Sequence, residues 1–114
     1  MSKTLFEKIV AREVPAKIVF EDDLVLAFHD IRPQAPVHVL IVPKKPISRI
    51  AEASVEDQGI LGHLLLKAAE VAKKLGVDKS GFRLVFNNGP AAGEAVPHLH
   101  CHIIGGRSLG WPPG

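Results

Sequence analysis

Cysteine is almost missing from this chain of 114 residues, which contains only Cys101. One cysteine cannot form an intramolecular disulfide, which agrees with a reducing compartment. The first residues also lack the apolar stretch of a secretory signal peptide. No apolar run approaches the roughly 20 residues that cross a bilayer. These absences predict a cytoplasmic protein without a membrane partner.

Long runs of one charge are missing as well. The chain carries 14 Lys and Arg against 12 Asp and Glu, a formal charge of +2. Its longest basic runs are the pairs Lys44-Lys45 and Lys73-Lys74, whereas proteins that bind nucleic acids usually carry a clustered basic surface. We therefore expect no nucleic-acid partner. With 46% hydrophobic residues, the sequence suits a single compact domain over residues 1–114.

One short and one long helix are predicted. Thr4 and Glu7 have the spacing of a capping box, and the helix that they begin ends at Val14, because a residue before proline avoids helical dihedral angles. A second helix begins near Ser54 and ends at Gly76. Its apolar side chains recur at the helical period, namely Ile60, Leu61, Leu64, Leu65, Ala68, Val71, Ala72 and Leu75.

Five strands are predicted at residues 17–21, 24–28, 37–43, 82–87 and 98–104. The fold class is α+β, a five-stranded, mostly antiparallel sheet with the two helices. A sheet of this size has edges that invite pairing, and an exposed Trp111 in a proline-rich tail is a liability for a monomer. We therefore expect a homodimer that covers an edge and seats Trp111.

Three histidines alternate with apolar residues near the end of the chain. His98, His100 and His102 share one face of the predicted strand, because side chains alternate between the two faces. The apolar side chains that alternate with them, Leu99, Cys101 and Ile103, are expected to face the core. The pattern therefore directs three imidazoles into one groove.

Three interpretations fit this pattern. The first is a solvated polar face that happens to be rich in histidine. The second is a zinc site, but the three histidines span roughly 13 Å along one strand, and no cysteine pair or well-placed carboxylate completes the ligand set. The third is nucleophilic catalysis at phosphorus, because neutral imidazole is a good nucleophile near physiological pH. His100 is central and is therefore the best candidate nucleophile.

The alternation of histidine and apolar residues resembles the signature of the histidine triad family of nucleotide-binding hydrolases and transferases. Further segments resemble its nucleotide-binding branch, namely residues 20–23, 27–31, 33–38, 41–45, 105–107 and 111–114. The resemblance implies the fold of that family and a homodimer. It also implies a purine nucleoside phosphoramidase that cleaves the P–N bond of adenosine or guanosine 5′-phosphoramidates and needs no metal or cofactor.

The resemblance also implies roles for residues in matching positions. His100 matches the nucleophile that becomes nucleotidylated, and His102 matches the histidine that contacts the phosphate and is a candidate proton donor to the leaving amine. His98 and His38 match supporting histidines. Asp30 matches the carboxylate that holds the ribose hydroxyls, although it also suits a simple Asx turn.

The remaining matches concern the base and the phosphate. The base cleft corresponds to Phe6, Ile9, Ile18, Phe28 and Ile31, most of which would look the same as ordinary core residues. Asn87 matches an amide that contacts the phosphate or leaving group. The loop residues Gly93, Glu94, Ala95 and Val96 are expected to offer backbone N–H groups to the phosphate, and Trp111 is expected near a partner subunit's site.

The sequence departs from this family pattern at two positions. Many family members carry a serine where this chain has Ala95, and an aromatic residue where it has Pro97. The lost hydroxyl predicts slower turnover or an altered leaving-group preference, since a charge-assisted hydrogen bond contributes about 1.5–3 kcal/mol. A dinucleoside polyphosphate hydrolase and a non-catalytic nucleotide sensor remain alternatives.

Overall fold

The structure is a computed structural model and describes residues 3–114, so Met1 and Ser2 lie outside the described residues. Two α-helices are present in this part of the chain, α1 (Leu5–Val10) and α2 (Gln58–Lys74). The strands are β1 (Ile18–Glu21), β2 (Val25–His29), β3 (Val37–Pro43), β4 (Phe82–Val85) and β5 (Cys101–Gly105). Short 3-10 helices span Ile50–Glu52, Val55–Asp57 and Pro90–Ala92.

The five strands form one sheet in the order β1-β2-β3-β5-β4, and every neighbouring pair is antiparallel. The predicted α+β architecture, with one long and one short helix, is confirmed. Among residues 3–114, neither α-helix combines the length and the hydrophobicity that a membrane-spanning helix requires.

The two helices lie on opposite faces of the sheet. Alternate residues of β2 and β3 belong to different apolar clusters, as the strand period of two requires. One cluster contains Val39 and Ile41 with the buried side of α2, and the other contains Leu40 and Val42 with α1. His102 alternates with two β5 residues of the α2 cluster, so its side chain lies on the α1 face.

Helix α1 begins as predicted but ends early. The Thr4 hydroxyl accepts a hydrogen bond from the Glu7 amide, and the Glu7 carboxylate accepts one from the Thr4 amide. The prediction that this helix continues to Val14 is wrong, because it ends at Val10 and Arg12 adopts a positive φ of 64°. The short helix still buries Phe6 and Ile9, which reach the sheet close to the histidines.

The predicted start of the last strand at residue 98 is also wrong, because β5 begins at Cys101. Its pairing with β3 ends where Ile41 faces Cys101. Farther along β3, Pro43 has no N–H with which to continue the ladder. The Leu99 amide instead donates to the Ile47 carbonyl at 2.6 Å. Strand alternation therefore places His102, whereas loop hydrogen bonds place His98 and His100.

Candidate active site

His100, His102 and His38 form a continuous imidazole cluster on the α1 face of the sheet. The ring centroids of His100 and His102 are 5.1 Å apart, and those of His102 and His38 are also 5.1 Å apart. His38 lies on β3 and His102 on the adjacent β5. The sheet therefore adds a fourth histidine to the triad, as the family resemblance implies.

The backbone orients the His100 ring. Its Nδ1 atom lies 2.8 Å from the His98 carbonyl oxygen. A carbonyl only accepts hydrogen bonds, so Nδ1 carries the proton in neutral His100. The lone pair is therefore on Nε2, the atom that can attack an electrophile. His100 is buried at 7% exposure, which limits the approach to a ligand that enters the neighbouring cleft.

The tautomers of His38 and His102 follow from a backbone amide. The Gln34 N–H donates to Nδ1 of His38 at 3.0 Å, so the proton of neutral His38 is on Nε2. That Nε2–H donates to Nδ1 of His102 at 2.8 Å. Nε2 of His102 then carries a proton and is a hydrogen-bond donor. Burial, together with the neighbouring His100 and His38, lowers the pKa of His102 to about 4.

His98 supports the cluster from beneath the surface. Its side chain has no exposed area, and its Nε2–H donates to the Pro43 carbonyl at 2.8 Å. Its Nδ1 atom has no hydrogen-bond partner among residues 3–114. Burial lowers the pKa of His98, so the ring is neutral at physiological pH. His98 thus anchors the segment whose carbonyl orients His100.

An apolar cleft of about 320 Å³ opens beside His100. The Phe6 ring forms one wall and packs edge-on against His100 at 4.8 Å and against Phe28 at 5.6 Å between centroids. The other residues around the cleft are Leu5, Ile9, Val14, Pro15, Ala16, His29, Asp30, Ile31, Leu40 and Val96. All but one of the residues predicted to hold the base therefore surround one space. The exception is Ile18, which lies on β1 outside this set.

Asp30 stands between the cleft and the imidazoles. Its Oδ1 atom accepts the Arg32 amide at 2.7 Å, so the Asx turn that the sequence allowed is present. Its Oδ2 atom lies 3.5 Å from Nε2 of His38. Ligand atoms of Asp30, His38 and His102 all lie within 4.8 Å of one another. A metal ion would therefore use this set rather than three histidines of one strand.

The loop before the triad contributes fewer free amides than predicted. The Gly93 amide already donates to the Pro90 carbonyl, and the Glu94 amide already donates to the Gly89 carbonyl. These two hydrogen bonds close the short 3-10 turn. The prediction that residues 93–96 all offer amides is therefore wrong for the first two. Within residues 3–114, the amides of Ala95 and Val96 donate to no acceptor.

A small polar cavity of about 10 Å³ links this loop to His100. Asn87, Glu94 and Val96 surround it together with His98 and His100. Arg49 also lines this cavity. The sequence does not indicate a role for it, because a single arginine in a polar loop gives no signal. The Gln34 amide was missed for the same reason, since every residue but proline has one.

Trp111 does not reach the imidazoles of its own chain. Its side chain is 82% exposed, and the Arg83 guanidinium lies 5.8 Å from its ring centroid. Arg83 also donates hydrogen bonds to the carbonyls of Leu109 and Gly110. These hydrogen bonds hold the C-terminal tail near β4.

Comparison with known proteins places the chain in a family. Residues 11–109 match the HIT domain family. An uncharacterised HIT-like protein of Synechocystis is 60% identical over 111 residues, which cover 97% of this chain and 96% of that protein. A HIT family hydrolase from Legionella pneumophila has a TM-score of 0.96 at 47% identity, over 98% of this chain and 100% of that chain. A histidine triad nucleotide-binding protein from Candida albicans has a TM-score of 0.83 at 29% identity, over 96% of this chain and 83% of that chain. The chain therefore belongs to the HIT domain family.

Proposed function

We propose that this protein hydrolyses the P–N bond of purine nucleoside 5′-phosphoramidates through a nucleotidyl-histidine intermediate on His100. The observation that carries the proposal is the orientation of His100, whose Nδ1–H donates to the His98 carbonyl and leaves the Nε2 lone pair free. This nucleophile lies beside an apolar cleft of a size that suits a purine. The HIT fold, which this chain shares with HIT family hydrolases, supports the hydrolase class.

The cleft and Asp30 orient the substrate in this proposal. A purine packs against the Phe6 and Phe28 rings, which offer apolar area and aromatic faces. The ribose hydroxyls donate to Asp30, whose carboxylate oxygens can only accept. The α-phosphate then lies at His100, where the amides of Ala95 and Val96 donate to its oxygens.

The reaction proceeds in two displacements. Nε2 of His100 attacks the α-phosphorus, and the P–N bond breaks with its electron pair on nitrogen, which takes a proton from solvent and leaves as the amine. Water then attacks the phosphorus, the bond to Nε2 breaks with its electron pair returning to the imidazole, and the surplus proton returns to solvent. The nucleoside monophosphate is released, and His100 is restored.

His102 stabilises this reaction as a hydrogen-bond donor. With its pKa at about 4, the ring of the free protein holds a single side-chain proton at neutral pH. The His38 contact keeps that proton on Nε2. The Nε2–H then donates to the phosphoryl group, where negative charge develops. We therefore assign His102 a hydrogen bond, rather than the proton transfer considered from the sequence.

The direct test is an adenosine 5′-phosphoramidate assay on wild type and His100→Ala, with His63→Ala as a control at a histidine of α2, on the opposite face of the sheet. We expect His100→Ala to lose turnover and His63→Ala to retain it. Quenched wild-type reactions analysed by intact mass should show a nucleotidyl adduct on His100. Wild-type turnover by His100→Ala would refute the nucleophile.

Two further arms separate the alternatives. A chelator should leave turnover unchanged, whereas loss with recovery on zinc addition would support a metalloenzyme that uses Asp30, His38 and His102. Preferred cleavage of a dinucleoside polyphosphate in a substrate panel would replace the phosphoramidase assignment. Tight binding of the monophosphate without any adduct or turnover would identify a nucleotide sensor.

We also propose a homodimer that covers the edge of β4. Within the described residues, β4 pairs only with β5, so its other edge is open. Exposed apolar side chains lie on α2, where Leu65 is 45% and Leu66 is 70% exposed, and in the tail at Trp111. Light scattering should give twice the chain mass, and Leu66→Glu should shift the protein toward monomer. A monomeric wild type at assay concentration would exclude the dimer.

A further inference from the structure

Glu94 is held in place by two parts of the chain. Its Oε1 atom accepts from Nε of Arg49 at 2.9 Å, and its Oε2 atom accepts from Nη2 of Arg49 at 3.1 Å. Oε1 also accepts the Gly89 amide at 3.0 Å. Only 12% of the Glu94 side chain is exposed. The two-point contact with a guanidinium is geometrically specific as well as strong.

This ion pair lies beside the reactive histidine. Arg49 and Glu94 surround the same 10 Å³ cavity as His98 and His100. Arg49 follows β3 in the chain and precedes the Ile50–Glu52 helix, whereas Glu94 belongs to the loop before the triad. The pair therefore joins two segments that are otherwise distant in sequence, at the edge of the proposed phosphate position.

The position of Glu94 in its loop gives the pair a consequence for binding. Glu94 directly precedes Ala95 and Val96, the residues whose amides have no acceptor within residues 3–114. Ala95 supplies no hydroxyl, so these two amides carry the loop's contacts with an anion in the proposed function. Their direction depends on how firmly the peptide before them is held.

We infer that the Arg49–Glu94 ion pair is a positioning device that aims the Ala95 and Val96 amides at the α-phosphate of the bound nucleotide. The inference rests on the proposed function. Arg49 also neutralises a carboxylate that would otherwise repel a phosphate placed beside His100. The Arg49 guanidinium holds the pKa of Glu94 below its usual range, so the pair stays charged at neutral pH.

The test separates phosphate binding from base and ribose binding. Calorimetry measures the affinities of AMP and adenosine for wild type, Arg49→Ala and Glu94→Gln. We expect Arg49→Ala to weaken AMP binding by about tenfold, the loss expected for one charge-assisted contact, and to change adenosine binding less than twofold. Glu94→Gln keeps an acceptor for the Gly89 amide and should give a smaller loss for AMP.

Glu52→Gln is the matched control, because Glu52 contacts Arg49 but lies outside the cavity. It should leave the AMP-to-adenosine preference unchanged. If Arg49→Ala does not fold, Arg49→Lys keeps the charge and loses the two-point contact, and it should show a smaller loss of the same preference. The exchanged pair, Arg49→Glu with Glu94→Arg, should regain part of the AMP affinity.

The outcomes distinguish this inference from the proposed function. If the Arg49 variants lose AMP affinity and adenosine affinity equally, while the wild-type protein cleaves the phosphoramidate, the ion pair is purely structural. That result would overturn the inference and leave the proposed function standing. Unchanged affinity for both ligands would overturn it as well. A wild type that neither binds AMP nor cleaves a phosphoramidate would refute the proposed function, and the inference with it.

Discussion

Nε2 of His38 lies 2.8 Å from Nδ1 of His102, and the Gln34 amide holds the opposite nitrogen of His38 at 3.0 Å. Because a backbone N–H can only donate, these two contacts determine which group donates and which accepts in each hydrogen bond from Gln34 through His38 to His102. The result is a His102 ring that presents Nε2–H to the candidate active site. The same ring with its proton on Nδ1 would present a lone pair to an anionic phosphate instead.

Replacement of His38 should therefore reduce catalysis without removing a group that touches the substrate. We expect His38→Ala to lower kcat by on the order of 100-fold, the lower end of the loss caused by removing one preorganised hydrogen-bond donor to the developing charge. His38→Gln should retain more activity, because its amide N–H can still donate to His102. Steady-state kinetics on the phosphoramidate measure both values. Equal, small effects of the two substitutions would contradict the assigned tautomers.

Asp30 should determine the preference for a ribose with its hydroxyls. Wild type is expected to bind AMP more tightly than 2′,3′-dideoxy-AMP, because only the former donates to the Asp30 carboxylate. Asp30→Ala should abolish that preference, which we expect to be about tenfold or more. Asp23→Ala is the control, since Asp23 lies in the exposed β1–β2 turn. A preference that survives in Asp30→Ala would place the ribose elsewhere.

Ala95→Ser should increase activity. The added hydroxyl would lie next to the free amides of the loop and supply the hydrogen bond that this chain lacks. A contact worth about 1.5–3 kcal/mol corresponds to a gain of roughly 10- to 150-fold in kcat/KM. Ala92→Ser, three residues earlier in the same exposed loop, should leave kcat/KM unchanged. A rate that does not rise in Ala95→Ser would show that the hydroxyl position is not used.

Acid should destabilise the protein through His102. Burial lowers the pKa of this ring in the folded state to about 4, whereas histidine in an unfolded chain titrates near 6.5. Between these values the unfolded chain binds the proton and the folded protein does not, so the free energy of unfolding falls as the pH falls. The contribution of His102 between pH 7 and pH 5 is about 2 kcal/mol.

Urea unfolding at the two pH values measures this effect. His102→Gln should lose less stability than wild type between pH 7 and pH 5, by about 2 kcal/mol. His98, whose pKa burial also lowers, contributes in the same direction and remains in the variant. His29→Gln, at an exposed position, should behave like wild type. Parallel losses in wild type and His102→Gln would contradict a neutral, buried His102.

The sequence determined the elements of this fold through local physics. The capping box at Thr4, the helical spacing in α2 and the alternation in β2 and β3 each follow from short-range patterns that the structure reproduces. His102 could likewise be assigned to a face of its strand, because it lies within the regular part of β5. The family resemblance extended the prediction from single elements to the fold of the whole sheet.

The tertiary structure decided what alternation could not. His98 and His100 precede β5, and their rings are placed by the carbonyls of Pro43 and His98 after the ladder has ended. The amide hydrogen bonds of residues 93 and 94 form only when the 3-10 turn closes. The pairing of Arg49 with Glu94 joins segments that are 45 residues apart in sequence.

These contacts have one physical origin. Backbone donors and acceptors are the same in every residue except proline, so a sequence cannot show which of them will meet across the fold. The type of residue in the triad follows from the sequence alone. The tautomer of each imidazole determines the atom available for chemistry. It is set by backbone groups that only the folded chain brings within 3.0 Å of His38, His98 and His100, and for His102 it is set through His38.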